Sequence, residues 1–234
     1  RTIGELASRY DVVVIEDLAY MCMDFRKPLG KPFVAPFQPT VAKYTDNYII
    51  MMSASKMFSY AGQRIAVLAI SDRLYEREYP ALQQRYNISR LGDALVLGVL
   101  YAVSSGTSHS AQYALAAMFK AACDGKLDFV AATSEYARRA ALTKKMFIDN
   151  GFHIVYSKDG DEDVSDGFFY TVGYKDMSGA VLMRELMLTG ICSISLSLTG
   201  SAQAGVRICV SQLNRPEQLD LLENRLVLFA SSHP

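Results

Sequence analysis

The chain is predicted to be α/β: part of a mostly parallel sheet sandwiched by helices, followed by a smaller α+β C-terminal domain. Three observations predict this. Val12, Val13, Val14 and Ile15 form an unbroken β-branched run, the pattern of a strand covered on both faces between helices. Helical stretches alternate with such runs through the first half. After residue 151 the strands become short and alternating, with shorter helices between them. The expected division is 1–125 for the sheet-bearing part, 126–150 for a long bridging helix and 151–234 for the small domain.

Residues 2–10 read as the second half of an amphipathic helix, with Ile3, Leu6 and Ala7 on one stripe. A natural chain seldom starts inside an element, and Arg1 is not an initiator Met, so an upstream segment is expected to have been removed. The strand at 12–15 runs directly into Glu16, Asp17, Leu18, Ala19 and Tyr20, which puts acidic and aromatic groups at its carboxyl end. Ligands of open α/β sheets bind there. Residues 24–47 hold Pro28, Pro32, Pro36 and Pro39 and read as a long loop, of the kind that is functional or wraps a partner.

The next strands are expected at 48–52 and 65–70. Only about a dozen residues separate them, too few for a helical crossover, so this pair should run antiparallel. Helices are expected at 72–86, interrupted by Pro80, at 91–104, at 108–122 and at 127–150, the last stopped by Gly151. Short strands at 152–156 and 167–172 flank an acidic turn at 159–163. A helix at 178–188, strands at 191–196 and 206–210, and a terminal helix at 217–229 complete the pattern.

Composition narrows the function classes. There are 24 basic and 24 acidic side chains, so the electrostatic footprint of a nucleic-acid binder is missing. The longest apolar stretch, 94–103, is too short to span a bilayer and contains Gly98, so no membrane partner is expected. Cys22, Cys123, Cys192 and Cys209 are far apart in sequence and lack CxxC spacing. With His109, His153 and His233 they do not make a metal cluster. They read as buried thiols of a reducing compartment, and a cytoplasmic location is expected.

Three clusters carry chemistry: Asp17 to Tyr20, then Ser53, Ser55 and Lys56 with Gly62 and Arg64 following, and last Gly205 with Arg207. Singly, each has a structural explanation. A carboxylate after a strand often caps a helix or anchors a loop. A lone Lys is usually a solvated surface group, Arg207 an exposed strand residue, and Tyr20 a core aromatic with a wet tip. Together they describe something else. Two hydroxyls and a guanidinium suit a phosphate monoester dianion. An amine beside them suits Schiff-base chemistry, and an acid on the neighbouring strand end suits a protonated pyridine nitrogen. That set is a pyridoxal-phosphate pocket.

The run SASKMFSYAGQRIA, residues 53–66, resembles the lysine signature of the class I/II aminotransferases of the aspartate aminotransferase superfamily, fold type I. Ser53, Ser55, Lys56, Ser59, Gly62, Arg64 and Ala66 all match it. Asp17, Ala19 and Tyr20 resemble the family's Asp-x-Ala-Tyr, and Gly205-x-Arg207 its late substrate-binding strand. The resemblance implies a homodimeric enzyme that uses pyridoxal 5'-phosphate to move an amino group between an amino acid and a 2-oxo acid. It implies Lys56 as the Schiff-base lysine and proton carrier, Asp17 as partner of the pyridinium nitrogen, and Tyr20 as donor to the phenolic oxygen. Ser53, Ser55 and Arg64 would hold the phosphate, and Arg207 the substrate carboxylate. The matched part is the C-terminal portion of the large domain plus the small domain, so this piece alone is expected to have little turnover.

Gln63 stands where many relatives have Trp, and 91–104 looks like an added apolar helix. Both bear on substrate identity. Arg90 stands about where some relatives present an Arg to a substrate side chain, but a solvated helix-end Arg is the better reading. Two alternatives share the residues: a carbon–sulfur lyase acting by β-elimination, and an aminotransferase-like domain of a transcription regulator.

Overall fold

The computed structural model describes residues 1–165 and 167–234. The chain divides into two compact units: unit 1 comprises 1–22 and 28–130, and unit 2 comprises 23–27 and 131–234.

Unit 1 opens with α1 (Thr2–Tyr10), ended by Asp11 in the left-handed conformation, and leads to β1 (Val14–Asp17). β2 (Tyr48–Ser53) lies parallel to β1, with Val14 opposite Tyr48 and Asp17 opposite Met51. β3 (Ala66–Ile70) returns antiparallel to β2, with Ser53 opposite Ala66. The reversed strand expected from the short connection is therefore present, and the sheet order is β1-β2-β3.

One expectation fails at β1. The β-branched run reads as buried on both faces, yet Ile15 is 61% exposed and Val12 54%. β1 has a single neighbour in the sheet, and the face that Ile15 shares with Asp17 is open to solvent. Residue type reports a tendency to be covered; the cover itself must come from other elements.

Between β2 and β3 lies a single helical turn, α2 (Ala54–Met57). After β3 come α3 (Asp72–Tyr75) and α4 (Pro80–Tyr86). Pro80 sits in the first turn of α4, where its missing N–H costs nothing. The expected helix at 91–104 is present as α5 (Leu91–Asp93) and α6 (Ala102–Ser104), with a π-helical segment, Ala94–Tyr101, between them. α7 (His109–Cys123) follows, then α8 (Phe129–Asp149), which Gly151 ends at φ +87°. The division between units falls within the first turn of α8, whereas the sequence reading kept 126–150 apart as a bridge.

Unit 2 is built on a second sheet of order β4-β7-β9-β8. Its strands are β4 (His153–Ile154), β7 (Phe169–Gly173), β8 (Ile194–Ser195) and β9 (Val206–Cys209). A hairpin of β5 (Lys158–Asp159) and β6 (Glu162–Asp163) occupies the acidic turn. The strands expected at 152–156 and 191–196 thus shorten to two residues each. α9 (Gly179–Leu188) starts on Ser178, whose hydroxyl accepts from Val181 N, and α10 (Pro216–Ser232) closes the chain. Phe147, Leu182, Leu186, Val172, Val206, Leu226 and Phe229 are fully buried together and make one core for this unit.

No helix among the described residues is long and apolar enough to cross a membrane, and no metal-ligand group appears among them. All four cysteines are free thiols, but only Cys22 is buried; Cys123, Cys192 and Cys209 are exposed, which corrects the expectation of buried thiols. Their scatter in the sequence says that they are unpaired locally and nothing about depth.

Candidate functional site

Because β1 and β2 are parallel, their carboxyl ends emerge at one edge of the sheet. Asp17 is the last residue of β1, and Ser53, two residues beyond its register partner Met51, is the last of β2. Leu18 N donates to Met51 O at 2.8 Å, which carries the pairing past the strand end.

Each side chain at this edge is set by a local device. Asp17 Oδ1 accepts from Ala19 N at 3.0 Å, an Asx-type turn that bends the chain toward Tyr20. Ser53 caps α2: its Oγ accepts from Ser55 N at 3.2 Å, leaving its O–H to donate. α2 then carries Lys56 one turn above the sheet edge. The Lys56 ammonium lies 6.0 Å from the centroid of the Tyr20 ring, so the first two clusters meet through this pair. Asp17 is exposed, Tyr20 is half exposed, and Ser53, Ser55 and Lys56 are partly buried.

The anchor beneath α2 is apolar. Ala54 and Met57 are buried, and Ala54 packs with Ile65, Ala111 and Leu115. Phe58 meets Phe119 and Phe129 edge-on at 5.3 and 5.2 Å. Ala54 N donates to Ile65 O at 3.3 Å, tying α2 to the start of β3. Arg64 immediately precedes Ile65, so the backbone brings it to the same end of the sheet. It takes a left-handed φ of 53° after the turn Ala61–Gln63, is exposed, and donates from Nη1 to Ala61 O at 2.8 Å.

Glu16 was not singled out by sequence reasoning. Its Oε2 accepts from Thr40 Oγ1 at 2.5 Å and from Val41 N at 3.1 Å, fastening the end of the Pro-rich loop to β1 next to Asp17. Alternation along β1 was the available signal: a carboxylate at an inward position needs a partner.

Arg207 belongs to unit 2. It is half buried on β9, opposite Thr171 and Ile194, and its guanidinium stacks on the Phe169 ring at 4.2 Å. Arg90 is a structural residue: it precedes α5 and bonds to Asp93 at 2.6 Å and Glu76 at 2.9 Å, and these hydrogen bonds raise its pKa further.

A family model described as aminotransferase class I and II matches residues 1–217. No curated protein matches the chain. Among solved structures, the chain is similar to an aspartate aminotransferase double mutant from Thermus thermophilus, at 17% identity and a TM-score of 0.66. The match covers 97% of this chain and 50% of that one. It is also similar to N-succinyldiaminopimelate aminotransferase from Mycobacterium tuberculosis, at 20% identity and TM-score 0.64, covering 97% and 52%. A third is an α-aminoadipate aminotransferase from Thermus thermophilus, complexed with N-(5'-phosphopyridoxyl)-L-leucine, at 16% identity and TM-score 0.64, covering 99% and 53%. At such identities the likeness shows the fold. The chain spans about half the length of these structures.

Proposed function

The chain belongs to the class I and II aminotransferase family, and we propose that the whole protein moves an amino group between an amino acid and a 2-oxo acid. The family's cofactor is pyridoxal 5'-phosphate. Within the reading, unit 1 is the C-terminal part of the cofactor-binding large domain and unit 2 the small domain.

The observation that supports the proposal is the shared strand edge, with Asp17 at the end of β1, Ser53 at the end of β2 and the Lys56 ammonium 6.0 Å from the Tyr20 ring. This donor set fits the cofactor. When bound, pyridoxal phosphate supplies an electron sink for bond breaking at the substrate's α-carbon. Lys56 Nζ would be the amine that holds its aldehyde and that receives the proton from the substrate's α-carbon. The Asp17 carboxylate would accept a charge-assisted hydrogen bond from the ring N–H and so hold the proton on that nitrogen. Tyr20 would donate to the phenolic oxygen. Ser53, Ser55 and Arg64 would hold the phosphate, and Arg207 would take the substrate α-carboxylate in a two-pronged bond.

A homodimer is part of the proposal. What supports it is uncovered apolar surface in unit 1: Phe33 and Phe37 in the Pro-rich loop, and Leu97 and Tyr101 in the helix at 91–104. The four free thiols fit a reducing compartment, in keeping with a cytoplasmic location.

The test is an assay of the whole protein, loaded with the cofactor, for amino-group transfer from a panel of amino acids. Product that requires a 2-oxo acid acceptor supports the proposal. Pyruvate and ammonia released from a cysteine conjugate without any acceptor overturn it in favour of β-elimination.

A further inference from the structure

Cys192 and Cys209 lie in unit 2 and play no part in the chemistry above. β8 and β9 pair antiparallel, with Ile194 opposite Arg207 and Ser195 opposite Val206. Leu196 N donates to Gly205 O at 3.0 Å, in the same register. The ladder ends at the Ile194–Arg207 pair, and the same register extrapolated two residues outward would set Cys192 opposite Cys209. Alternate residues of a strand share a face, so Cys192 follows Ile194 and Cys209 follows Arg207 on one side of the ladder. Residues directly opposite each other in an antiparallel ladder have Cα atoms about 4.5–5.5 Å apart, inside the ~4.4–6.8 Å that a disulfide spans.

A second observation brings the thiols together. Both line one cavity of about 240 Å³, with Gly190, Gln212 and Arg225 among its walls. Both are exposed, so a small reagent reaches them. β8 begins at Ile194, which leaves residues 191–193 outside the ladder and free of its pairing constraints. Ser211 Oγ lies 3.2 Å from Cys209 Sγ, where its hydroxyl can donate to a thiolate.

We propose that Cys192 and Cys209 are a reversible redox pair, oxidised by small hydroperoxides to an intrachain disulfide. The Cys209 thiolate attacks a peroxide oxygen and the O–O bond breaks, leaving a sulfenic acid on Cys209 and releasing water or an alcohol. The Cys192 thiol then attacks that sulfur, the S–S bond forms, and the hydroxyl leaves as water with the thiol proton. Two thiols lose two electrons and two protons, and the peroxide is reduced. An external dithiol returns the pair to the reduced form and becomes a disulfide itself.

The other two cysteines are internal controls. Cys22 is buried, and burial pushes its thiol up to about 12, which keeps it protonated and inert. Cys123 is exposed but stands on α7 in unit 1.

The experiment treats the folded protein with equimolar hydrogen peroxide, alkylates remaining thiols and digests with trypsin without reductant. Cleavage after Arg207 puts the two cysteines on separate peptides. The expected product is a linked pair, two hydrogens lighter than the sum, that dithiothreitol separates while Cys22 and Cys123 remain alkylated. In Cys192→Ser, the link disappears and a sulfenic acid on Cys209 is trapped by dimedone. Both sulfurs recovered unlinked from protein with an unchanged circular dichroism spectrum, or linked only between chains, overturn the proposal.

Discussion

Unit 2 closes its hydrophobic core and unit 1 does not. In unit 2, α8, α9 and α10 bury Phe147, Leu186, Leu226 and Phe229 around one sheet, and aromatic rings interlock edge-on, Phe147 against Phe152 at 5.0 Å. In unit 1 some buried apolar residues gather in small clusters, Met57 with Phe129 and Ala54 with Leu115, while Ile3, Leu6, Ile15 and Leu68 face solvent. The candidate site lies in the less closed unit. Its side chains are therefore held by local devices, namely parallel register, an Asx turn and a serine cap, rather than by deep packing. Function and stability are separable in such a chain: the residues proposed for chemistry carry little of the fold, and the residues that carry the fold are remote from the chemistry in sequence.

The contrast can be broken by substitution. Phe147→Ala should destabilise unit 2 by about 3–5 kcal/mol, read by denaturant unfolding. Ile15→Ala, at a 61% exposed position, should stay within about 0.5 kcal/mol. Equal losses would mean that β1 is covered after all. Asp17→Asn would remove the proposed charge-assisted hydrogen bond to the cofactor, worth about 1.5–3 kcal/mol. Turnover of the loaded whole protein should fall about 10–100-fold with the unfolding midpoint unchanged, and a matching fall in stability would make Asp17 structural. The smallest effect concerns acid. Hydrogen bonds from Arg138, then Arg139, hold the Glu135 carboxyl at about 2. An unfolded Glu titrates at about 4.3, so this contribution is present above that pH and is lost as pH falls through about 2. The pair is solvent-screened, so Glu135→Gln should cost under about 1 kcal/mol at neutral pH, and the gap from the parent should close between pH 4 and pH 2. A gap independent of pH would exclude the ion pair as its cause.

Much of the fold was legible because its signals are local. The short connection before β3 dictated its reversal, Gly151 the end of α8, and Ser178 the start of α9. The exposure of Ile15 was not legible, since burial depends on neighbours that a strand's own residues do not specify. The π-helical segment 94–101 was read simply as helix: an apolar stretch without a polar face carries no periodicity that separates a wide turn from an ordinary one. The candidate residues Asp17 and Ser53 stand at neighbouring strand ends because β1 and β2 run parallel, and α2 follows directly with Lys56. Arg207 belongs to unit 2, and its role is proposed through family resemblance.

In the proposed function the ε-amine of Lys56 holds the cofactor. Borohydride reduction of the whole protein incubated with pyridoxal phosphate, followed by peptide mapping, tests it most directly. One pyridoxyl-modified lysine is expected, on the peptide containing Lys56, with no modification in Lys56→Ala. Label spread over surface lysines, or retained at full yield in Lys56→Ala, would contradict it.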